Sequence, residues 1–458
     1  MSRIGIWSGI ARGTVACAFP IVSCLWTPCV AGSAPPASGE GSSVGMERRP
    51  GLDTPMDKLR ADLPCRKLVE LLSKTTGVRM TYDGAEGLEG DPGSIPVHVQ
   101  LAHITLRQVL DCVLPNIELL RQLEHVSWDN RIRVFHPVYL GDEGLDMKGS
   151  YDVSDLLPIL RSKEGDKDVP RALHAILDPW LSLDSGIPGD CYEIAIKGST
   201  LIVEGESDVI GEMNRLLRWL RNPVDPRLIG KSGDRLFVAS DPGMYKRLTE
   251  VCTEDVGKPV TLDGLVYFLN VTGEMNVIFR RQMAIAATKQ KILHEIRVTT
   301  KGRRYIDILL GVKDTDAWEG NQLYFEYDGP VIVLDGSAGV LRVMRVYDVR
   351  NLLGSRELGG LLAGRGEGVE KAAGLPPDEA LGRALKKLGD DRVRDCNDKL
   401  EDEPAVVRFH KGLAVVWATW EGHRRILRLL FDLNSTLFPE KRDGTTRPGV
   451  SRASSRAN

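Results

Sequence analysis

The chain contains the same order of sequence elements twice, and this repeat limits its fold more than any other feature. The clearest marker is YDVSDLL at 151–157, which matches YDVRNLL at 347–353 in five of seven positions. One short match carries little weight alone, because a long chain offers many pairs of windows. The repeat therefore depends on further matches in the same order on both sides of this marker.

Such matches occur both upstream and downstream. Each consists of the same residue types at similar spacing, and each pair precedes or follows the marker in the same order. The matching pairs are 68–72 with 265–269, 128–130 with 327–329, 197–198 with 411–412, and 215–217 with 428–430. This collinear order indicates a tandem duplication.

The first part of each copy is predicted to contain helix, strand, strand, helix and hairpin. An amphipathic helix over 63–76 is expected to end at Gly77. Thr105 and Gln108 have the spacing of a capping box, in which each side chain satisfies a free amide at the helix start. The predicted strands are 78–82 and 97–101, and the predicted hairpin turns are Asp129-Asn130 and its counterpart Asp328-Gly329.

The second part of each copy is predicted to be a β-α-β-β-α unit. Its elements in the first copy are a strand at 151–153, a helix at 171–177, a hairpin at 191–203 and a helix at 207–220. Units of about 75 to 95 residues bury marginal area, so neighbouring units are expected to pack on one another. The predicted fold class is α+β, built from tandem small modules.

The N-terminal segment 1–34 has only two charged residues and a long apolar stretch, which is typical of a secretory signal peptide. We favour cleavage near Gly32 or Ala34, followed by a flexible linker over 35–55. Lipoprotein processing at Cys24 is a second, less favoured interpretation. A retained anchor is disfavoured by prolines in the segment, although prolines do not exclude one. Export predicts a periplasmic location.

The rest of the chain predicts no catalytic, cofactor-binding or metal-binding residues. Its histidines show no metal-ligand spacing, and its glycine-rich run at 364–368 lacks the flanking strand and helix of a dinucleotide site. Asp152 and Asp348 recur in both copies, but a turn-capping or ion-pairing role explains them better than catalysis. The tryptophans at 180, 219, 417 and 420 are expected to pack in the core or between units.

Charge and cysteine content limit other functions. A net charge of −3 argues against general nucleic-acid binding. After residue 34 no apolar stretch approaches the roughly 20 residues that cross a bilayer, which predicts no integral membrane domain. Cys65 and Cys112 fall on two predicted helices of one unit, where they either form a disulfide or remain small buried thiols. The second reading is the commoner one.

The spacing of apolar residues in the first unit is similar to the short N-terminal domain of secretins and TonB-dependent receptors (the STN domain). The residues that carry the likeness lie at 63–72, 76–78 and 97–110, and the unit after it resembles the βαββα modules of secretins. The likeness is closer over 56–222 than over 258–434. In the second copy the capping box is replaced by Gly302-Arg303-Arg304-Tyr305.

The resemblance implies an envelope module for protein contacts, without the secretin pore. We expect a non-enzymatic exported scaffold or adaptor of the bacterial cell envelope, linked to a secretin-type system, with envelope or secretion proteins or further copies of itself as partners. The alternative is a periplasmic protein that binds a small ligand or signal between modules. The predicted organisation is 1–34 signal peptide, 35–55 linker, 56–147 STN-like module, 148–223 βαββα module, 224–257 connector, 258–343 divergent STN-like module, 344–434 βαββα module with an insertion near 357–375, and 435–458 disordered tail.

Overall fold

The computed structural model describes most of the chain after residue 51. The described residues are 52–53, 55–83, 96–117, 124–128, 131–135, 147–161, 168–184, 192–256, 260–279, 295–312, 324–328, 331–335, 342–364, 375–394, 400–403 and 405–439. The predicted signal peptide, most of the predicted linker and the tail after 439 lie outside them.

Two groups of elements form the N-terminal half. Unit A (55–135) contains β1 (Pro55–Pro64), α1 (Cys65–Thr76), β2 (Met80–Asp83), β3 (Pro96–Thr105), α2 (Leu106–Gln108), a π-helical turn (Val109–Val113), α3 (Leu114–Ile117), β4 (Glu124–Trp128) and β5 (Arg131–Phe135). Unit B (147–221) contains β6 (Met147–Asp152), α4 (Leu157–Leu160), α5 (Asp168–Asp184), β7 (Glu193–Lys197), β8 (Thr200–Gly205) and α6 (Ser207–Arg221).

The C-terminal half follows a structured connection. That connection holds a 3₁₀ turn (Pro226–Leu228), β9 (Ile229–Ser232), β10 (Arg235–Val238) and α7 (Pro242–Thr249). Unit C (250–335) contains β11 (Val260–Thr261), α8 (Leu262–Thr272), β12 (Val277–Phe279), β13 (Glu295–Ile296), α9 (Tyr305–Val312), β14 (Tyr324–Asp328) and β15 (Val331–Asp335). Unit D (342–437) contains β16 (Arg342–Asp348), α10 (Arg350–Leu353), α11 (Leu358–Gly364), α12 (Pro377–Gly389), β17 (Asp391–Arg394), β18 (Leu400–Glu403), β19 (Val406–His410), β20 (Leu413–Thr419) and α13 (Trp420–Leu437).

Several local signals act as the sequence predicts. Helix α1 ends at Gly77, whose φ of 71° is a left-handed conformation that suits glycine, and its amide donates to the Ser73 carbonyl. The capping box is present, because the Thr105 hydroxyl accepts from the Gln108 amide and the Gln108 side chain accepts from the Thr105 amide. The six apolar positions predicted for one face of α6 are all buried: 209, 210, 213, 216, 217 and 220.

The same strand pairings occur in both halves. In unit A, β2 runs parallel to β5, which pairs antiparallel with β4; in unit C, β12, β15 and β14 are arranged in the same way. In unit B, β8 lies between β6 and β7, and in unit D, β20 lies between β16 and β19, with all four contacts antiparallel. Mixed α+β architecture is therefore confirmed.

Matching backbone details support this correspondence. Ile132 donates its amide to the Arg79 carbonyl, and Ile332 donates to the Asn276 carbonyl. Positive φ recurs at corresponding turns, at Gly198 and Gly412 in the β-hairpins of units B and D. These features are what a tandem duplication would leave, while the assignment of the units to STN and secretin modules stays a prediction.

The halves differ in how their sheets continue. Units A and B share one six-stranded sheet in the order β2-β5-β4-β6-β8-β7, joined where Ser127 of β4 pairs with Ser150 of β6. In the described part of the C-terminal half, units C and D have separate three-stranded sheets. Asp328 of β14 pairs with Val331 of β15, so Asp328, which was predicted to lie in the hairpin turn, is the last residue of β14.

The cores join corresponding units. One hydrophobic cluster contains buried residues of both unit B and unit D, so these units are packed together as the marginal size of each requires. Along β12, Val277 enters the core of unit C while its neighbour Ile278 enters the core of unit A. Because successive strand residues face opposite sides, the unit C sheet lies between two cores.

The structure adds detail to three parts of the predicted organisation. In the predicted connector 224–257, Phe237 of β10 enters the unit C core and Val238 enters the shared core of units B and D. In the predicted insertion near 357–375, α11 forms with Leu358 and Leu362 buried, while the glycine-rich run after Gly364 lies outside the described residues. Strand β1 begins at Pro55, where the predicted linker ends.

Candidate interaction surface

The two recurring aspartates have structural roles, as expected. The Asp152 carboxylate accepts the Ser154 amide across a turn, and the Asp348 carboxylate accepts the Arg350 amide in the same way. Arg350 also donates its guanidinium to Asp348. Burial opposes ionisation of Asp348, but the hydrogen bonds from Arg350 outweigh it and lower the pKa of Asp348. These contacts use the carboxylates to hold turns.

The described histidines are held individually by hydrogen bonds, ion pairs or ring stacking. His423 is fully buried, with Nδ1 2.7 Å from the Tyr347 hydroxyl and Nε2 2.8 Å from the Val343 carbonyl. His174 stacks on the ring of Tyr192, with the ring centroids 4.8 Å apart. Across the described ranges, no three His, Cys, Asp or Glu side chains gather into a metal site.

A buried polar network joins unit A to unit B. His125 Nε2 lies 3.4 Å from the Asp111 carboxylate, and Arg221 Nη1 lies 3.5 Å from the same carboxylate. Arg218 donates to the Asp111 carbonyl at 3.0 Å. Burial lowers the pKa of His125; the Asp111 charge opposes this shift, while Arg221, Arg107 and Arg218 add to it. The other ring nitrogen, Nδ1, is buried without a hydrogen-bond partner.

This network favours a neutral His125. A neutral imidazole has one donor and one acceptor nitrogen, and only Nε2 faces a carboxylate. A second proton would place an N–H on Nδ1, where it has no acceptor. The network therefore depends on pH, and its one carboxylate among arginines connects the two units.

A cation–π contact joins unit B to unit D. The Arg345 guanidinium of β16 lies 4.5 Å from the Trp420 ring centroid and 5.8 Å from that of Trp219 in α6. Arg345 is 3% exposed, and desolvation strengthens such contacts. Val224, just after α6, exchanges two backbone hydrogen bonds with β16. Trp219 thus packs between units B and D, Trp420 contacts Arg345 within unit D, and Trp417 is fully buried; the side chain of Trp180 lies outside the described part of the chain.

Asn276 joins unit A to unit C. Its side-chain oxygen accepts the Ala102 amide at 2.8 Å, and its side-chain nitrogen donates to the Ala102 carbonyl at 3.0 Å. Asn276 is 6% exposed and has a φ of 52°, a left-handed conformation that asparagine tolerates better than most residues. One carboxamide thereby occupies both main-chain groups at the outer edge of β3.

The contact at Ala102 also fixes the direction of the main-chain groups of β1. Ala102 pairs with Lys58, and its N–H and C=O both point away from β1, toward Asn276. In an antiparallel ladder such a pair exchanges no hydrogen bonds, so the Lys58 N–H and C=O point away from β3. Arg60, two residues along, pairs with Gln100 and has the same orientation.

These groups form an open edge, which we call the β1 edge: the outward main-chain groups and the side chains of Lys58 and Arg60. The described strands place only β3 beside β1. Both side chains are exposed, whereas Leu59 and Ala61 between and beyond them are buried. The start of the strand is held in place, because Asp53 pairs with Arg107 at 2.8 Å.

Sequence reasoning missed β1, although a signal for it was present. Residues 58–61 alternate charged and apolar side chains, as a strand with one buried face does. This alternating run is only four residues long, and it lies between the predicted linker and the first predicted helix. Asn276, by contrast, is separated from Ala102 by 174 positions and carries no local signal.

A surface depression bears on the alternative of ligand binding between modules. Its volume is about 350 Å³, and it is lined by Leu353, Pro377, Asp378, Phe409, Lys411 and Gly412. All six residues belong to unit D. The depression therefore does not occupy a groove between an STN-like unit and its neighbour, where the ligand site was expected.

The predicted alternatives for the cysteines are resolved in part. Cys65, Cys112 and Cys252 are buried thiols that form no disulfide. The disulfide alternative for Cys65 and Cys112 is therefore wrong, and the buried-thiol alternative is confirmed. Cys191 and Cys396 lie outside the described residues.

Comparison with known proteins gives no relative: no family, no curated protein and no solved structure matches this chain. Among the residues that the structure describes, no helix is both long and apolar enough to span a membrane.

Proposed function

We propose that the chain is a non-enzymatic, exported scaffold or adaptor of the bacterial cell envelope that acts through protein–protein contacts. The observation that carries this proposal is the β1 edge. Its outward N–H and C=O groups offer a template on which another strand can pair, the usual basis of strand addition. Such recognition needs no catalytic side chains.

The joints between units support this function. A scaffold has to present its binding edge in a defined orientation, since ordering a loose edge on binding would cost affinity. The Asn276 carboxamide connects unit C to β3, which pairs along its length with β1. The Asp111 and Arg345 contacts connect the remaining units. Export and a link to a secretin-type system come from the N-terminal sequence and the resemblance described above.

Site-specific photocrosslinking in intact cells of the source organism tests the proposal. A photoreactive residue replaces Lys58 at the β1 edge in the full chain, and the matched control replaces Lys387, which is exposed on α12. We expect an adduct with an envelope protein at position 58 that is absent at position 387. Equal patterns at both positions, only monomer at position 58, or a chain confined to the cytoplasmic fraction would contradict the proposal.

A further inference from the structure

We propose that the β1 edge selects an extended acidic segment of a partner protein, which adds to unit A as a strand beside β1. This inference rests on the proposed function and names the chemistry of the partner. It follows from the main-chain direction of the edge, from its two cationic side chains and from the outcome expected if two β1 edges met.

The main chain of the edge has the right polarity for strand addition. Lys58 and Arg60 both direct N–H and C=O outward, so the edge offers two donors and two acceptors in the spacing of a ladder. The structure contains the same mode of contact on the other side of the sheet, where Asn276 satisfies the N–H and C=O of Ala102. At Ala102 the partner is Asn276 of unit C. At β1 the corresponding N–H and C=O groups of Lys58 and Arg60 point away from β3.

The side chains supply the selectivity. Lys58 and Arg60 are two residues apart and therefore stand on one face of the strand, where both are exposed and form no ion pair with another described residue. A strand added beside β1 places alternate residues about 5 Å from them, where opposite charges stabilise a cross-strand pair. A partner strand with acidic residues at alternate positions meets this requirement. The residues between them face the same side of the sheet as Leu59 and are expected to be small and apolar.

The same charges disfavour one register in which a second copy of this chain could pair with the edge. Antiparallel pairing of two β1 strands about Leu59 would set Lys58 of each chain opposite Arg60 of the other. Like charges directly opposite are destabilising, and charged residues on edges are a common protection against self-pairing. Self-pairing in this register is therefore disfavoured, whereas a strand with acidic residues opposite Lys58 and Arg60 is favoured.

The described part of the C-terminal half contains no equivalent continuous edge. There the segment that corresponds to β1 is described in two pieces: an isolated bridge between Val251 and Arg304, and the two-residue strand β11. Residues 253–256 between them form no strand pairing. Among the described residues, the proposed acceptor is therefore found in unit A.

A binding experiment with the full-length protein tests the inference. The probes are fluorescent eight-residue peptides that alternate Glu with Val or Lys with Val, and a Glu/Val peptide with alternate backbone nitrogens methylated. Fluorescence anisotropy measures the affinity. We expect the Glu/Val peptide to bind at least tenfold more tightly than either of the other two, since each lacks the charge or the backbone donors.

Two matched substitutions separate charge from main-chain pairing. Arg60→Ala keeps the outward N–H and should weaken Glu/Val binding about fivefold, the effect of losing one cross-strand charge pair. Arg60→Pro removes that N–H, which no strand in the described sheet uses, and should weaken binding at least tenfold beyond Arg60→Ala. The double variant Lys58→Glu/Arg60→Glu changes exposed side chains only and should prefer the Lys/Val peptide.

The results that overturn the inference are distinct from those that overturn the proposed function. Failure of the Glu/Val peptide to bind, equal binding of the methylated peptide, or equal affinities of Arg60→Ala and Arg60→Pro would each refute strand addition of an acidic segment. If another part of the same chain already covers the β1 edge, the Glu/Val peptide will fail to bind. Crosslinking at position 58 with no peptide binding would retain the adaptor function and reject the acidic partner.

Discussion

Replacement of Asn276 by glycine measures how strongly units A and C are joined. The variant removes the carboxamide that binds the Ala102 amide and carbonyl at 2.8 and 3.0 Å, and glycine keeps the left-handed backbone. Each hydrogen bond contributes about 1 kcal/mol, and a buried group left without a partner adds to the loss. We therefore expect the free energy of unfolding to fall by about 2 to 3 kcal/mol from the lost contacts.

The matched control is Glu274→Gly. Glu274 also has a positive φ, of 48°, but its side chain is 52% exposed, so glycine relieves backbone strain and removes only an exposed contact with His103 at 3.8 Å, of a kind that contributes little to stability. This control should be neutral or stabilising by up to about 1 kcal/mol. Subtracting the two effects removes the contribution of the backbone conformation and leaves that of the carboxamide.

Equilibrium unfolding in urea, followed by tryptophan fluorescence and by amide hydrogen exchange of β3, gives both values. The exchange measurement reports on the Ala102 amide even if the units unfold in separate steps. A difference below 0.5 kcal/mol between Asn276→Gly and Glu274→Gly, taken as roughly the error of such comparisons, would refute the claim that this carboxamide joins the units.

Three further predictions concern a buried helix, a cap and a titrating side chain. Leu362→Ala should lower the free energy of unfolding by about 2 to 5 kcal/mol in urea titrations, since Leu362 is 2% exposed; a loss typical of surface sites would contradict the packing of α11 in the core. Thr105→Ala should lower it by about 1 kcal/mol, whereas an unchanged midpoint would show that the capping box contributes nothing. Because the folded pKa of His125 is below its ordinary 6.5, the unfolded chain binds the proton more readily, so stability should fall as pH drops below about 6.5, by up to about 1.4 kcal/mol per pH unit. His125→Asn should remove that part of the slope, and identical slopes in the two proteins would contradict the assignment.

The sequence was sufficient where structure depends on neighbours along the chain. Gly77 ends a helix because of its own φ, and Thr105 caps one through a residue three positions away. The six-residue apolar face of α6 follows from helical spacing alone. These features involve interactions within a single element, and each was predictable before the tertiary contacts were known.

The sequence was insufficient where distant segments decide the outcome. Helix α11 has the sequence LGGLLAG, whose glycines disfavour a helix, and the burial of Leu358 and Leu362 stabilises it. The joint at Asn276 and the network of Asp111, His125 and Arg221 bring together residues from separate elements. Neither has a characteristic spacing, because the fold and not the local chain positions those side chains.

Residue-resolved amide hydrogen exchange over 58–61 in the full-length protein tests the open β1 edge most directly. The outward amides of Lys58 and Arg60 should exchange at least about 100-fold faster than the amides of Leu59 and Ala61, which pair with β3. Addition of the Glu/Val peptide should then slow the first two alone. Slow exchange of all four amides in the protein without peptide would show that the edge is already covered, and would contradict the account.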